Sequence, residues 1–116
     1  MKKSENKITF KIDRGEIFQL KKPAIIVLVI SNSLHNLFSN YLTIILATDK
    51  NVNQVRESLE VPFELGSGKK IKLLLSCFHT VSKQQLCDQG VFLGKIDEKI
   101  AEKLNQKIRS ILGLID

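Results

Sequence analysis

The sequence has 116 residues, 43% of them hydrophobic, with 18 Lys and Arg against 12 Asp and Glu for a formal net charge of +6. That is enough chain for one compact core and too little for two ordinary domains, so residues 1–116 are read as one domain with a flexible N-terminus over 1–7. The basic excess suits a polyanion such as RNA, DNA or an acidic peptide, and equally a domain that is simply basic. Met1 to Lys7 is polar and mixed in charge, without the apolar run of a secretory signal. The longest apolar stretch, Ala24 to Ile30, falls far short of the ~20 residues that cross a bilayer. These features predict a cytoplasmic chain with no membrane segment. Cys77 and Cys87 are too few for a disulfide framework, and no Cys/His/carboxylate cluster has metal-ligand spacing, so thiols, no metal and no cofactor are expected.

Ile8 to Ile12 alternates apolar with polar, which predicts a half-buried strand, and Asp13-Arg14-Gly15 supplies turn chemistry. Glu16 to Leu20 reads as a second strand, interrupted at Lys21-Lys22-Pro23 because proline removes a ladder donor. Ala24 to Ile30 is a continuous apolar strand that must be covered on both faces. Ser31 to Asn40 reads as a loop or short helical turn carrying Leu34, Leu37 and Phe38 inward. Tyr41 to Ala47 is another buried strand, ending at Thr48-Asp49-Lys50, and Asn51 to Ser58 is polar and exposed. Glu60 to Leu65 and Ile71 to Leu75 flank Gly66-Ser67-Gly68 as a hairpin. Such a run of short strands points to a small barrel. Val91 to Ile96 adds a last strand. Beyond Asp97 the period changes: Ile100, Leu104, Ile108, Ile111, Leu112 and Ile115 form one stripe of a helix, with Asp97 as its N-cap. The six Phe are read as mostly core, leaving no exposed aromatic set for stacking single-stranded bases.

Four short elements occur in order: Arg14-Gly15-Glu16, Val29-Ile30-Ser31-Asn32, Pro62-Phe63-Glu64 and His79-Thr80-Val81-Ser82-Lys83, the last read as a turn. Followed by the C-terminal helix, they resemble the MazF/PemK toxins of bacterial toxin–antitoxin pairs from roughly Arg14 to Leu114. The resemblance implies a mostly β fold, a small SH3-like β-barrel (MazF/CcdB-like) with a C-terminal α-helix. It further implies a homodimer, an acidic antitoxin protein as partner, and endoribonuclease activity that cleaves single-stranded mRNA without a metal.

Cleavage of that type uses the RNA 2′-hydroxyl as nucleophile, so a site needs a base, a cation for the strained phosphate and an acid for the leaving oxygen. The family places an Arg-Pro pair after a long Gly-rich loop. Here that loop is almost absent; counting back from Asn32 puts Ile25 and Ile26 at the pair, whereas a shifted alignment offers Lys22-Pro23. Lysine brings the charge without a bidentate fork to phosphate. The family's acidic residue falls on Ser76, its Gln on Cys77 and its Arg on His79, while Thr48 stands where the catalytic Thr or Ser is expected. The resemblance therefore assigns Thr48, Lys22 and His79 to catalysis and Arg14, Lys21 and Lys83 to RNA binding. Each has a plainer reading: Lys22 as a solvated charge beside a turn, Thr48 as a β-branched strand end, His79 as an idle surface imidazole, Arg14-Gly15 as a turn. Two other functions stay open: a catalytically inactive RNA- or antitoxin-binding module, and a CcdB-like toxin that binds topoisomerase.

Overall fold

The computed structural model describes residues 11–113. Most of the Ile8–Ile12 segment lies outside them; Lys11 and Ile12 are described and are not in a strand. Six strands follow: β1 (Glu16–Leu20), β2 (Ile25–Val29), β3 (Tyr41–Thr48), β4 (Glu60–Glu64), β5 (Lys70–Ser82) and β6 (Val91–Lys95). Three helices intervene or follow: α1 (Ser33–Phe38), α2 (Lys83–Gln89) and α3 (Glu98–Ile111). The strands join one antiparallel sheet in the order β4-β5-β3-β2-β1-β6. The sheet is curled into a half-barrel. Leu65, just past β4, reaches within 3.5 Å of where a side chain on Gly94 of β6 would begin, so the two edge strands approach each other on the inner face.

Alternation along the strands gives the sheet two apolar faces. On the inner face Ile17, Leu28, Ile45, Val61, Ile71, Leu73 and Leu75 are buried with Leu104 of α3. Ile100, Ile108 and Ile111 of the same helical stripe pack beside them, and Leu112 projects into solvent. On the outer face Phe18, Leu20, Val27, Val29, Leu42 and Ile44 pack with Ile12 and with Leu86 of α2. Capping follows the sequence. The Asp97 carboxylate accepts from the Ile100 N–H at 2.8 Å, and Ser82 Oγ accepts from the Gln85 N–H at 2.9 Å. The β4–β5 hairpin turns through Gly66-Ser67-Gly68, where Gly68 has φ +94, a conformation open to glycine and strained for other residues.

Three expectations need correction. β5 does not stop at Leu75 but runs to Ser82, with extra residues bulged out where Ile45 pairs Phe78 and the next residue, Leu46, pairs Leu74. The bulge bends one long strand so that it serves as partner to both β4 and the whole of β3. His79, Thr80 and Val81 therefore lie in a strand rather than a turn, and only Ser82 caps a helix. Secondly, α1 turns the other way round: Leu34, Leu37 and Phe38 are exposed and Asn36 is fully buried. The Asn36 carboxamide donates to the carbonyls of Ile12 and Ser31 at 3.1 and 3.0 Å and accepts from the Ser31 hydroxyl at 2.6 Å. A fully satisfied amide is stable inside and closes the chain around Ile12, which forces the apolar stripe of α1 outward. Thirdly, the Phe residues are divided: Phe18 is buried, Phe63 and Phe78 are half-buried, and Phe38 and Phe92 are exposed. Cys77 and Cys87 are not bridged.

Candidate functional site

β2, α1 and β3 form one antiparallel pair closed at one end by α1 and open at the other. Its register runs Ile26 to Ala47 through Val29 to Ile44, so the start of β2 and the end of β3 emerge side by side. The residues before Pro23 and after Ala47 therefore share one rim of the sheet: Lys21 and Lys22 from the β1–β2 turn, Thr48, Asp49 and Lys50 from the end of β3. Lys21 and Lys22 are exposed. The Lys22 N–H donates to Gln89 Oε1 at 3.2 Å, which ties the turn to the end of α2.

Thr48 is half-buried, and its Oγ1 accepts from the Lys50 N–H at 3.1 Å. The hydroxyl proton remains available to donate to a phosphate oxygen. Directly across from Thr48 in the register stands Lys72, only 7% exposed. Its ammonium donates to the Gln54 carbonyl at 2.8 Å and to Glu60 Oε1 at 3.1 Å. Glu60 Oε1 also accepts from the Arg56 N–H at 2.9 Å, and these bonds hold its carboxyl below the usual carboxylate range, the Arg56 amide foremost and Lys72 next. This pair of a buried lysine and a half-buried glutamate pins the 51–58 segment beside Thr48. Asp49 is likewise held ionised, chiefly by its hydrogen-bonded pairing with Lys69 at 3.2 Å. Once Lys69 and Lys72 have answered Asp49 and Glu60, Lys21, Lys22 and Lys50 carry no ion pair among the described residues. The rim is thus a cationic edge with one hydroxyl donor, and among the described residues no three or more His, Cys, Asp or Glu are grouped so as to hold a metal ion.

The structure brings Thr48, Lys22 and Lys21 to this rim. His79 pairs with Ile44, four positions back along β3, which sets it on the order of 13 Å from Thr48 at ~3.3 Å per residue. It shares the outer face with Thr48, because residues directly opposite on neighbouring strands project to the same side. Arg14 lies at the opposite end, where its guanidinium donates to Asn105 of α3 and its N–H to Ser33 Oγ. Lys83 is at that far end too, its ammonium 3.3 Å from the Leu37 carbonyl. Lys72 was not marked out by the sequence reading. A lysine on the alternate face of an otherwise apolar Ile71–Leu75 run is the signal that points to it.

A family model, PemK-like, MazF-like toxin of type II toxin–antitoxin systems, matches residues 13–112. The chain belongs to this toxin family. Its match spans the sheet, α2 and α3, and hence the whole rim. Solved structures agree in fold. A MazE–MazF complex from Deinococcus radiodurans superposes with a TM-score of 0.73 at 16% identity, covering 91% of this chain and 100% of that one. An endoribonuclease in complex with its cognate antitoxin, from a mycobacterial species, gives 0.75 at 18% identity, covering 90% and 98%. The Mycobacterium tuberculosis toxin MazF-mt6 gives 0.65 at 22% identity, covering 84% and 94%. No curated protein sequence matches the chain significantly. The resemblance in sequence motifs is thereby confirmed at the level of family and fold. No helix among the described residues is long and apolar enough to cross a membrane.

Proposed function

We propose that this toxin-family chain is a metal-independent endoribonuclease that cleaves single-stranded RNA in the cytoplasm by 2′-hydroxyl attack. The observation that carries the reading is the convergence of Thr48 and Lys22 on one rim with Lys21 and Lys50 uncompensated beside them. Endoribonucleases among the fold neighbours support it. In this reading the Lys22 ammonium neutralises the phosphate, and the Thr48 hydroxyl donates to a non-bridging oxygen as negative charge builds there. His79, farther along the same face, meets RNA away from the scissile bond unless a second protomer brings its copy closer. The test is incubation of an unstructured RNA with the purified protein in EDTA. Cutting supports the reading; RNA that is bound yet intact after hours replaces it with a binding module that has lost catalysis.

The partners follow from the surface. An acidic antitoxin segment would cover the cationic rim and compete with RNA, and its binding should weaken as salt rises. A second copy of the chain would cover Leu34, Leu37, Phe38 and Tyr41, four exposed large apolar side chains on α1 and the start of β3. Pro23 through Thr48 contains no Asp, Glu, Lys or Arg. That stretch brings no charge of its own to a copy across a two-fold axis, and Lys83, 3.3 Å from the Leu37 carbonyl, borders the patch.

A further inference from the structure

Phe92 is the exposed aromatic that lies on the cationic side of the molecule. It is 56% exposed on β6, an edge strand paired only with β1. Its ring is not loose. It packs edge-on against buried Phe18, with centroids 5.7 Å apart and planes inclined at 68°, a favourable geometry that fixes the ring while leaving much of its surface to solvent. The register sets Phe92 opposite Phe18 and Val91 opposite Gln19. The next residues of β1 and its turn are Leu20, Lys21 and Lys22, and the Lys22 N–H is bonded to Gln89, three residues before Phe92. Three residues of strand at ~3.3 Å each put Lys21 on the order of 10 Å from the row of Phe92.

A backbone-tracking cation pair beside a rigid, exposed π-face is the combination by which proteins hold single strands, the cations on phosphates and the ring on a base. The other exposed aromatics, Phe38 and Tyr41, sit in the α1 patch, where the bordering Lys83 ammonium is engaged with the Leu37 carbonyl and neither ring is held against another aromatic among the described residues. Going round the rim the order is Thr48, the Lys21–Lys22 turn, then Phe92. We propose that Phe92 is a base-stacking platform for single-stranded RNA, seating a nucleotide beyond the Lys21–Lys22 phosphate contacts and away from Thr48. The inference rests on the RNA-binding half of the proposed function and adds a subsite to it. A planar ring reads the face of a base and no hydrogen-bonding edge, so this subsite gives affinity and register with little sequence preference.

The experiment measures anisotropy of a fluorescein-labelled, 2′-O-methyl oligoribonucleotide, which has no free 2′-hydroxyl at its internal linkages and is not consumed. Wild type is compared with Phe92→Leu, which keeps apolar packing on Phe18 but removes the π-face, and with Phe92→Tyr, which keeps both. Phe92→Leu should weaken binding about tenfold or more, the scale of one lost base stack, and Phe92→Tyr should bind within about twofold of wild type. A series of oligonucleotides with one abasic position each should show a position whose base matters to wild type and not to Phe92→Leu. Salt dependence should be unchanged in Phe92→Leu, because no phosphate contact is lost. Equal binding by wild type and Phe92→Leu, identical abasic profiles, no binding by wild type, or a change in oligomer mass of Phe92→Leu would each overturn the proposal. Wild type that binds the unmodified RNA without cutting it would sink the nuclease reading and leave the platform standing; cutting by wild type with Phe92→Leu unaffected in binding would do the reverse.

Discussion

The two ends of the β2–α1–β3 unit are built from one uncharged stretch of chain, yet they meet solvent with opposite chemistry. At the closed end α1 shows Leu34, Leu37 and Phe38, with Tyr41 beside them. At the open end the same stretch is bracketed by Lys21-Lys22 and by Asp49-Lys50, and Thr48 ends β3 between them. The topology explains the difference. Antiparallel pairing brings the residues flanking a long apolar hairpin to one place, so charges kept out of the core by their desolvation cost collect on a single rim. The turn in the middle of the hairpin receives none. The same pair of strands thereby offers a lysine-rich rim at one end and, at the other, an apolar patch bordered by Lys83 and Arg14.

The comparison is tested most severely by exchanging one end for the other in effect on catalysis. Thr48→Ala and Lys22→Ala should each slow RNA cleavage by about a hundredfold or more, the usual scale of one lost transition-state donor. Arg14→Ala, at the far end and engaged with Asn105, should leave the rate within a few-fold. Equal losses at both ends would break the assignment of the rim. A smaller effect is expected at the apolar end. Wild type should scatter light as a dimer at micromolar concentration, and Leu34→Lys with Phe38→Lys should yield a monomer that still folds, since neither side chain is part of either core. A wild-type monomer would leave the apolar patch unaccounted for by self-association.

Smaller still is the contribution of the Glu60–Lys72 pair. Because the folded Glu60 carboxyl lies below its ordinary value of 4.5, the pair adds stability above that pH and loses it as pH falls through the folded value. Denaturation of wild type and Glu60→Gln should therefore differ at pH 7 and draw together as the pH falls below 4.5 and through the folded value. A difference that stays constant across this range would show that the carboxylate charge is not what pins the 51–58 segment. The least change is expected from Lys21→Ala: RNA binding should weaken moderately, with the slope of log affinity against log salt falling by about one.

Much of the fold was legible because it rests on local signals. Alternation marked the strands, Gly66-Ser67-Gly68 the hairpin, Asp97 the helix cap, and the three-and-four spacing α3. What the sequence hid depends on neighbours distant in the chain. The outward roll of α1 is decided by Asn36 reaching the carbonyl of Ile12, a bond between residues 24 apart that no local period announces. The extension of β5 is decided by β3, whose eight residues demand a partner past Leu75. At the site, Thr48 and Lys22 were found through family motifs and lie on one rim, whereas His79 and Arg14 came from the same motifs and lie away from it. Motif order records what a chain position once aligned with; only the register says which positions meet. Lys72 and Phe92 went unmarked for the complementary reason, that burial of a lysine and exposure of a phenylalanine are properties of the folded sheet.

The most direct measurement is the chemistry of the cut end. RNA incubated with the protein in EDTA should yield fragments ending in a 2′,3′-cyclic phosphate, and the same RNA carrying 2′-O-methyl groups throughout should stay whole, because the attacking hydroxyl is blocked. Thr48→Ala should give the same ends more slowly. Fragments with a plain 3′-hydroxyl, cleavage of the 2′-O-methyl RNA, or activity abolished by EDTA would contradict the account of a metal-independent site at the Thr48–Lys22 rim.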